Sequence, residues 1–293
     1  MYFGSLITAM ITPFHEDGTL NTDACERMIE HLISEGSDAI VIAGTTGEAP
    51  TLSIDEKSRL FRLAADKAAG RAYIIAGTGT NSTQAAVQLS EQAETAGVDA
   101  VMLTAPYYNK PNQKGMYEHF RTIAEAIDLP VMLYNIPGRT GVNMTADLTV
   151  SLAEIENIVS VKEASGDLDQ MSNIIERTSA DFSVYAGDDS LTLPAMAVGA
   201  DGIVSISSHV IGREMKEMIT AFAGGEHQQA SRLHRRLLLF MQHMFIAPSP
   251  APVKAALNLI DFPAGPVRLP MTELDSQDRE NVRNVTADLG KLH

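Results

Sequence analysis

Residues 100–135 read AVMLTAPYYNKPNQKGMYEHFRTIAEAIDLPVMLYN, and the fold is legible in them. AVMLT (Ala100–Thr104) and VMLYN (Val131–Asn135) are short, near-continuous apolar runs. They lack the alternation of a strand with one wet face, so they read as parallel strands covered on both sides. Between them Met116, Phe120, Ile123, Ala124 and Ile127 recur at helical spacing and make one apolar stripe. Strand, amphipathic helix and strand together form the crossover unit that parallel pairing requires.

The unit repeats in both directions. GSLITAM (Gly4–Met10), AIVIA (Ala39–Ala43) and AYIIAG (Ala72–Gly77) precede it, and VSVKE (Val159–Glu163), FSVYA (Phe182–Ala186) and GIVSI (Gly202–Ile206) follow. In residues 22–36 Cys25, Met28, Ile29, Leu32 and Ile33 share a helical face that stops at Gly36. Ser53 and Glu56 have capping-box spacing before Leu60, Leu63 and Ala64. Eight strands alternating with helices, about 25–35 residues apart, predict an α/β chain folded as a (β/α)8 TIM barrel. A doubly wound open sheet shares the element order and is the rival. Beyond Ile206 the pattern predicts helices near 212–223, 227–246, 251–260 and 272–289. The expected division is a barrel over 1–225 that holds the active site and a C-terminal helical extension over 226–293 packed on it.

Composition narrows the function. The 293 residues include 22 Lys and Arg against 37 Asp and Glu, a net charge of −15. No global positive field exists to meet nucleic acid or an anionic membrane. Hydrophobic residues make up 45% and charged ones 20%, which suits a large core and argues against disorder. Cys25 is the one cysteine, so an intramolecular disulfide and a CxxC metal knuckle are excluded, and a reducing, cytoplasmic setting fits. The apolar N-terminus carries no Lys or Arg ahead of its hydrophobic run and reads as a strand, not a signal peptide. Residues 237–253 lack acidic residues, Lys and Arg but hold Gln242, His243 and three prolines, so they do not read as a membrane span.

Chemistry in such a barrel collects at the C-terminal ends of the strands. Lys162 alone among the lysines interrupts a β-type apolar run. In a closed barrel it is desolvated, and its free amine becomes a nucleophile for a carbonyl; at a sheet edge it would be solvated, or paired with Glu163. Gly44-Thr45-Thr46-Gly47 offers two hydroxyls and free N–H groups to a small carboxylate. Arg139, between Gly138 and Gly141, is a fork for a second carboxylate, and Tyr134 is a phenol at a buried strand end. Gly77-Thr78-Gly79 lacks the third glycine of a dinucleotide fingerprint. His15, His31, His119, His209, His227, His234, His243 and His293 include no H-x-H or H-E-x-x-H, so no metal is expected. Asp188-Asp189 reads as a helix cap near Ser190.

GTTGE at 44–48, YNIPGRTG at 134–141 and VKEASGD at 161–167, in this order and spacing, resemble the dihydrodipicolinate synthase family. That family belongs to the pyruvate-dependent class I lyases, and the resemblance runs over essentially the whole chain. It implies that Lys162 captures pyruvate as an imine whose enamine attacks an aldehyde, with no other cofactor. It implies a proton-shuttling Tyr134, joined through Thr45 to Tyr108, which reaches a neighbouring subunit's site. Thr46 and the main chain at Gly187 and Val204 match the pyruvate-binding positions. Arg139 matches the residue that takes the carboxylate of L-aspartate semialdehyde, on the route to diaminopimelate and lysine. The neuraminate and 2-keto-3-deoxy-sugar-acid lyases would keep Lys162 and Tyr134 but generally lack this arginine. A homo-oligomer is implied, a tetramer built as a dimer of dimers or a dimer. Ile54, Lys57 and Ala85 stand where lysine-inhibited members carry polar, histidine or glutamate side chains, although Asn81 and Tyr107 remain; weak or absent lysine inhibition is expected.

Overall fold

The computed structural model describes residues 1–292; His293, counted among the histidines above, lies outside them. Eight parallel strands close into one barrel in sequence order, the first pairing with the last. They are β1 (Leu6–Ala9), β2 (Ala39–Ile42), β3 (Tyr73–Gly77), β4 (Ala100–Thr104), β5 (Val131–Asn135), β6 (Ile158–Glu163), β7 (Ser183–Ala186) and β8 (Gly202–Ser205). The first five helices are α1 (Thr22–Ser34), α2 (Ile54–Ala68), α3 (Thr83–Thr95), α4 (Gln113–Ala124) and a single turn, α5 (Pro137–Thr140). Then come α6 (Ala146–Leu152), α7 (Leu168–Arg177), α8 (Thr192–Ala197) and α9 (Ser208–Ala223). The chain continues through α10 (His227–His243), α11 (Ala251–Leu259) and α12 (Ser276–Asp288). A closed barrel has no edge strand, so the open-sheet rival is excluded.

Two apolar layers follow from strand alternation. Ile7, Val41, Ile75, Met102, Met132 and Val204 fill the barrel interior, while the opposite strand faces meet the helices in a second, larger core. The capping box of α2 is present: Ser53 accepts from the Glu56 amide, and Glu56 accepts from the Ser53 amide. Gly36 follows α1 with a φ of +96°, a left-handed value that favours glycine.

One device recurs at three strand entries. Asp38, Asp99 and Asp201 each sit just before an even-numbered strand and each accept a main-chain N–H of the preceding strand, at Leu6, Ile74 and Val184. Each lies two residues after a left-handed glycine, Gly36, Gly97 or Gly199. The carboxylate satisfies an amide at the bottom of the barrel that the parallel ladder leaves open.

Some expected boundaries shift. The first strand shortens from Gly4–Met10 to Leu6–Ala9, because parallel pairing with β2 and β8 covers only those residues. The helix expected from 212 begins at Ser208, and its first turn is separated by a non-helical Ile211 (φ −120°, ψ 33°). The final helix starts at Ser276 rather than 272, where Asp275 caps it. Among the described residues no helix is long and apolar enough to cross a membrane.

Candidate active site

Tyr134 and Lys162 are register partners on β5 and β6, so strand alternation turns both side chains into the barrel. Lys162 is 5% exposed and Tyr134 4%, and the lysine Nζ lies 4.4 Å from the centroid of the tyrosine ring. Among the described residues no carboxylate pairs with Lys162. The next residue on each strand, Asn135 or Glu163, faces the other way. Glu163 accepts from Asn135 Nδ2 (3.2 and 3.0 Å), the Ser165 amide (2.7 Å) and Gln170 Nε2 (3.0 Å). The pairing of Lys162 with Glu163 that an edge strand would allow is therefore absent. This outward network was missed in the sequence, although the inward position of Lys162 already required Glu163 to point out.

Gly187, directly after β7, presses on Lys162. A Cβ there would stand 2.9 Å from Lys162 Cε and would collide with the Ala164 side chain. Val204 lies on β8 in the same interior layer. Thr46 is buried in the turn after β2, and Thr45 is half-buried beside it. Two non-glycine residues in left-handed conformation, Ala43 (φ +50°) and Glu48 (φ +56°), bracket that turn. Thr12 Oγ1 donates to the Gly47 carbonyl at 2.7 Å.

Above the barrel's C-terminal end lies a cavity of about 280 Å³, walled by Thr45, Lys57, Thr104, Tyr107 and Arg139. Its size suits a small metabolite. Lys162 and Tyr134 are not among its walls but lie within the barrel. Arg139 sits exposed on α5 between Ile136 and the left-handed Gly141, and no acidic residue pairs with it among the described residues. Its fork is therefore free. Lys57 is half-buried, and burial pulls its amine below the ordinary lysine range. Ile54 and Ala85 are exposed, and the Asn81 carbonyl accepts from Asn109 Nδ2.

Within one chain Tyr108 stands apart. It is 87% exposed and carries a φ of +72°, whereas its neighbour Tyr107 lines the cavity. The link from Tyr134 through Thr45 to Tyr108 is not formed within a single chain. Asp188 accepts from the Ser190 amide at 2.9 Å, as the cap reading expects. Asp189 does something else: it is fully buried and accepts from the Ile206 and Ser207 amides, tying the end of β7 to the segment after β8. No three His, Cys, Asp or Glu side chains converge as a metal site among the described residues.

The sequence profile of the Dihydrodipicolinate synthetase family matches residues 2–288. The chain belongs to that family. Its members of known structure share the barrel closely. Dihydrodipicolinate synthase DapA-2 of Bacillus anthracis superposes with a TM-score of 0.97 at 51% identity, covering 98% of both chains. The Cyanidioschyzon merolae enzyme, whose structure has lysine bound, gives 0.98 at 45% identity over 99% of both chains. The 4-hydroxy-tetrahydrodipicolinate synthase of Oceanobacillus iheyensis is 54% identical, with 98% of each chain covered. The three motifs that carry the family resemblance all fall inside the matched span, at strand ends β2, β5 and β6.

Proposed function

We propose that this chain is a 4-hydroxy-tetrahydrodipicolinate synthase, condensing pyruvate with L-aspartate 4-semialdehyde. The observation that carries the reading is the inward, buried Lys162, unpaired with any carboxylate among the described residues and 4.4 Å from the Tyr134 ring. The Lys162 amine attacks the pyruvate carbonyl, and loss of water gives an imine. The imine nitrogen then takes up the electron pair left when a C3 proton departs, so a metal is not needed as the electron sink. The enamine carbon attacks the aldehyde. The substrate's own amino group then displaces Lys162, which closes the ring and frees the enzyme.

Tyr134 is suited to carry the protons of imine formation and aldol addition, since a phenol donates and accepts at one oxygen. Thr46 and the main chain at Gly187 and Val204 would hold the pyruvate carboxylate. Arg139 would hold that of the semialdehyde in a two-pronged, charge-assisted contact. With a net charge of −15, attraction of two anions must be local. Tyr108 has a role only if a second copy of the chain receives it, so the working enzyme is at least a dimer, with Thr45 bridging Tyr108 and Tyr134 across the interface. A buried, unpaired Cys25 suits a reducing compartment such as the cytoplasm.

Borohydride reduction in the presence of pyruvate tests the assignment. A stable mass increment is expected on Lys162, and the Lys162→Met variant should show none, with kcat down by about a thousandfold or more. An adduct on another lysine would remove the proposed nucleophile. Turnover of aspartate semialdehyde without cleavage of sugar acids would separate this enzyme from its sister aldolases.

A further inference from the structure

Glu48 closes the GTTGE turn but has no part in the chemistry above. Its surroundings assign it one. It adopts a left-handed conformation (φ +56°, ψ 37°) and is almost wholly buried. One carboxylate oxygen lies 2.7 Å from Lys254 Nζ, and the other accepts the Arg268 amide at 2.8 Å. Lys254 lies on α11 and is buried too; its amine also donates to the Pro266 carbonyl at 2.7 Å and stands 4.3 Å from the Phe14 ring. The Arg268 guanidinium covers Phe14 at 4.1 Å and donates to the Thr51 carbonyl, just after the turn, and to the Gly18 carbonyl in the loop after β1. It also pairs with Glu56 on α2. Both cations come from the chain beyond the barrel, more than two hundred residues after Glu48.

We infer that Glu48, Lys254 and Arg268 are positioning residues through which α11 and the segment after it hold the Thr45–Thr46 turn in its pyruvate-binding shape. This inference rests on the function proposed above. A turn with a left-handed non-glycine at each end persists only where its surroundings over-determine it. The turn's other bonds run to the main chain: the Glu48 amide to the Thr45 carbonyl (3.1 Å), the Ala49 amide to the Gly44 carbonyl (3.2 Å), the Thr51 amide and hydroxyl to the Glu48 carbonyl (2.9 and 3.0 Å), and Thr12 to the Gly47 carbonyl. A buried carboxylate, in contrast, reaches its cation in one backbone arrangement, and losing the cation leaves an uncompensated charge. Burial lowers the Lys254 amine from its ordinary range while Glu48 draws it back up, which ties the two groups to each other's presence.

The alternative is that the pair merely anchors the C-terminal helices. The Glu48→Gln and Glu48→Gln/Lys254→Met variants distinguish the two. Glu48→Gln should raise the KM for pyruvate at least fivefold and leave that for the semialdehyde within twofold, with borohydride still trapping pyruvate on Lys162 at saturation. The double variant removes both charges, so its melting temperature should return toward that of the parent while the pyruvate KM stays raised. Recovery of pyruvate KM together with the melting temperature, or equal movement of both KM values, would overturn the brace. Glu48→Asp keeps the charge but shortens the reach. It should give an intermediate pyruvate KM, and a parental value would also count against the brace. Should the unmodified protein fail to trap pyruvate at all, the reading of the site falls, and the brace's role in pyruvate binding with it. Trapping by the unmodified protein with parental pyruvate KM in all variants overturns the brace alone.

Discussion

Lys162 and Lys254 are both buried lysines, and their surroundings separate their chemistry. Lys254 lies 2.7 Å from the Glu48 carboxylate, donates to the Pro266 carbonyl and covers the Phe14 ring, so its amine is engaged in structure. Lys162 instead lies 4.4 Å from the Tyr134 ring and against Gly187, where a Cβ would crowd its Cε, and no carboxylate pairs with it among the described residues. Arg139 differs again: it is an exposed guanidinium without an acidic partner among the described residues, lining a cavity. Replacing Arg139 by Ala should raise the KM for aspartate semialdehyde about 10- to 100-fold, the worth of a charge-assisted pair. Borohydride trapping of pyruvate by the same variant should stay within about twofold of the parent. Equal loss in both measurements would place Arg139 elsewhere in the reaction.

At the scale of elements, alternation along β5 and β6 does the sorting. Tyr134 and Lys162 turn inward while Asn135 and Glu163 turn outward into a hydrogen-bonded set that also reaches Asn143 and Gln170. The same two strands thus carry the reacting groups on one face and a rigid backing on the other. Helix α4 shows a different balance. His119 packs under it with Nδ1 2.9 Å from Thr83 Oγ1, and burial pushes its pKa down to about 4. The folded state therefore holds this imidazole neutral, whereas the unfolded chain takes up a proton below about pH 6.5. Since the unfolded state binds the extra proton, stability must fall as the pH drops through that window. Between pH 7 and pH 5 the loss from His119 should be roughly 1–2 kcal/mol. His119→Asn keeps an acceptor for Thr83, so urea midpoints at the two pH values should draw closer together in this variant. An unchanged gap would show that His119 is not the group responsible.

At the scale of the molecule, the exposed Tyr108 is the feature a single chain leaves unexplained. If a second copy receives it, specific activity should fall on dilution in step with dissociation measured by ultracentrifugation. Tyr108→Phe should lower kcat without shifting that dissociation. Activity that persists in a verified monomer would remove Tyr108 from the site. The barrel was legible in the sequence because parallel strands buried on both faces leave unbroken apolar runs, and runs such as AVMLT and VMLYN are hard to read otherwise. Lys162 was legible for the same reason, as a charge inside such a run. Glu48 and Lys254 were not: they lie more than two hundred residues apart, and Lys254 sits in an alanine-rich helix where a lysine ordinarily meets water. The three aspartates at the strand entries left a signal, glycine two residues ahead each time, that strand counting passed over.

The sequence by itself determined the order of strands and helices, the placing of a lysine and a tyrosine at strand ends, and the family resemblance, since these rest on local periodicity and short motifs. Tertiary structure decided closure of the barrel, which turns Lys162 from a solvated edge residue into a buried amine. It also decided that Glu163 backs the site instead of pairing with that amine, and that the C-terminal helices reach back to Glu48. Those outcomes depend on which charges share a low-dielectric interior, and contacts between distant residues leave no local pattern from which to read them.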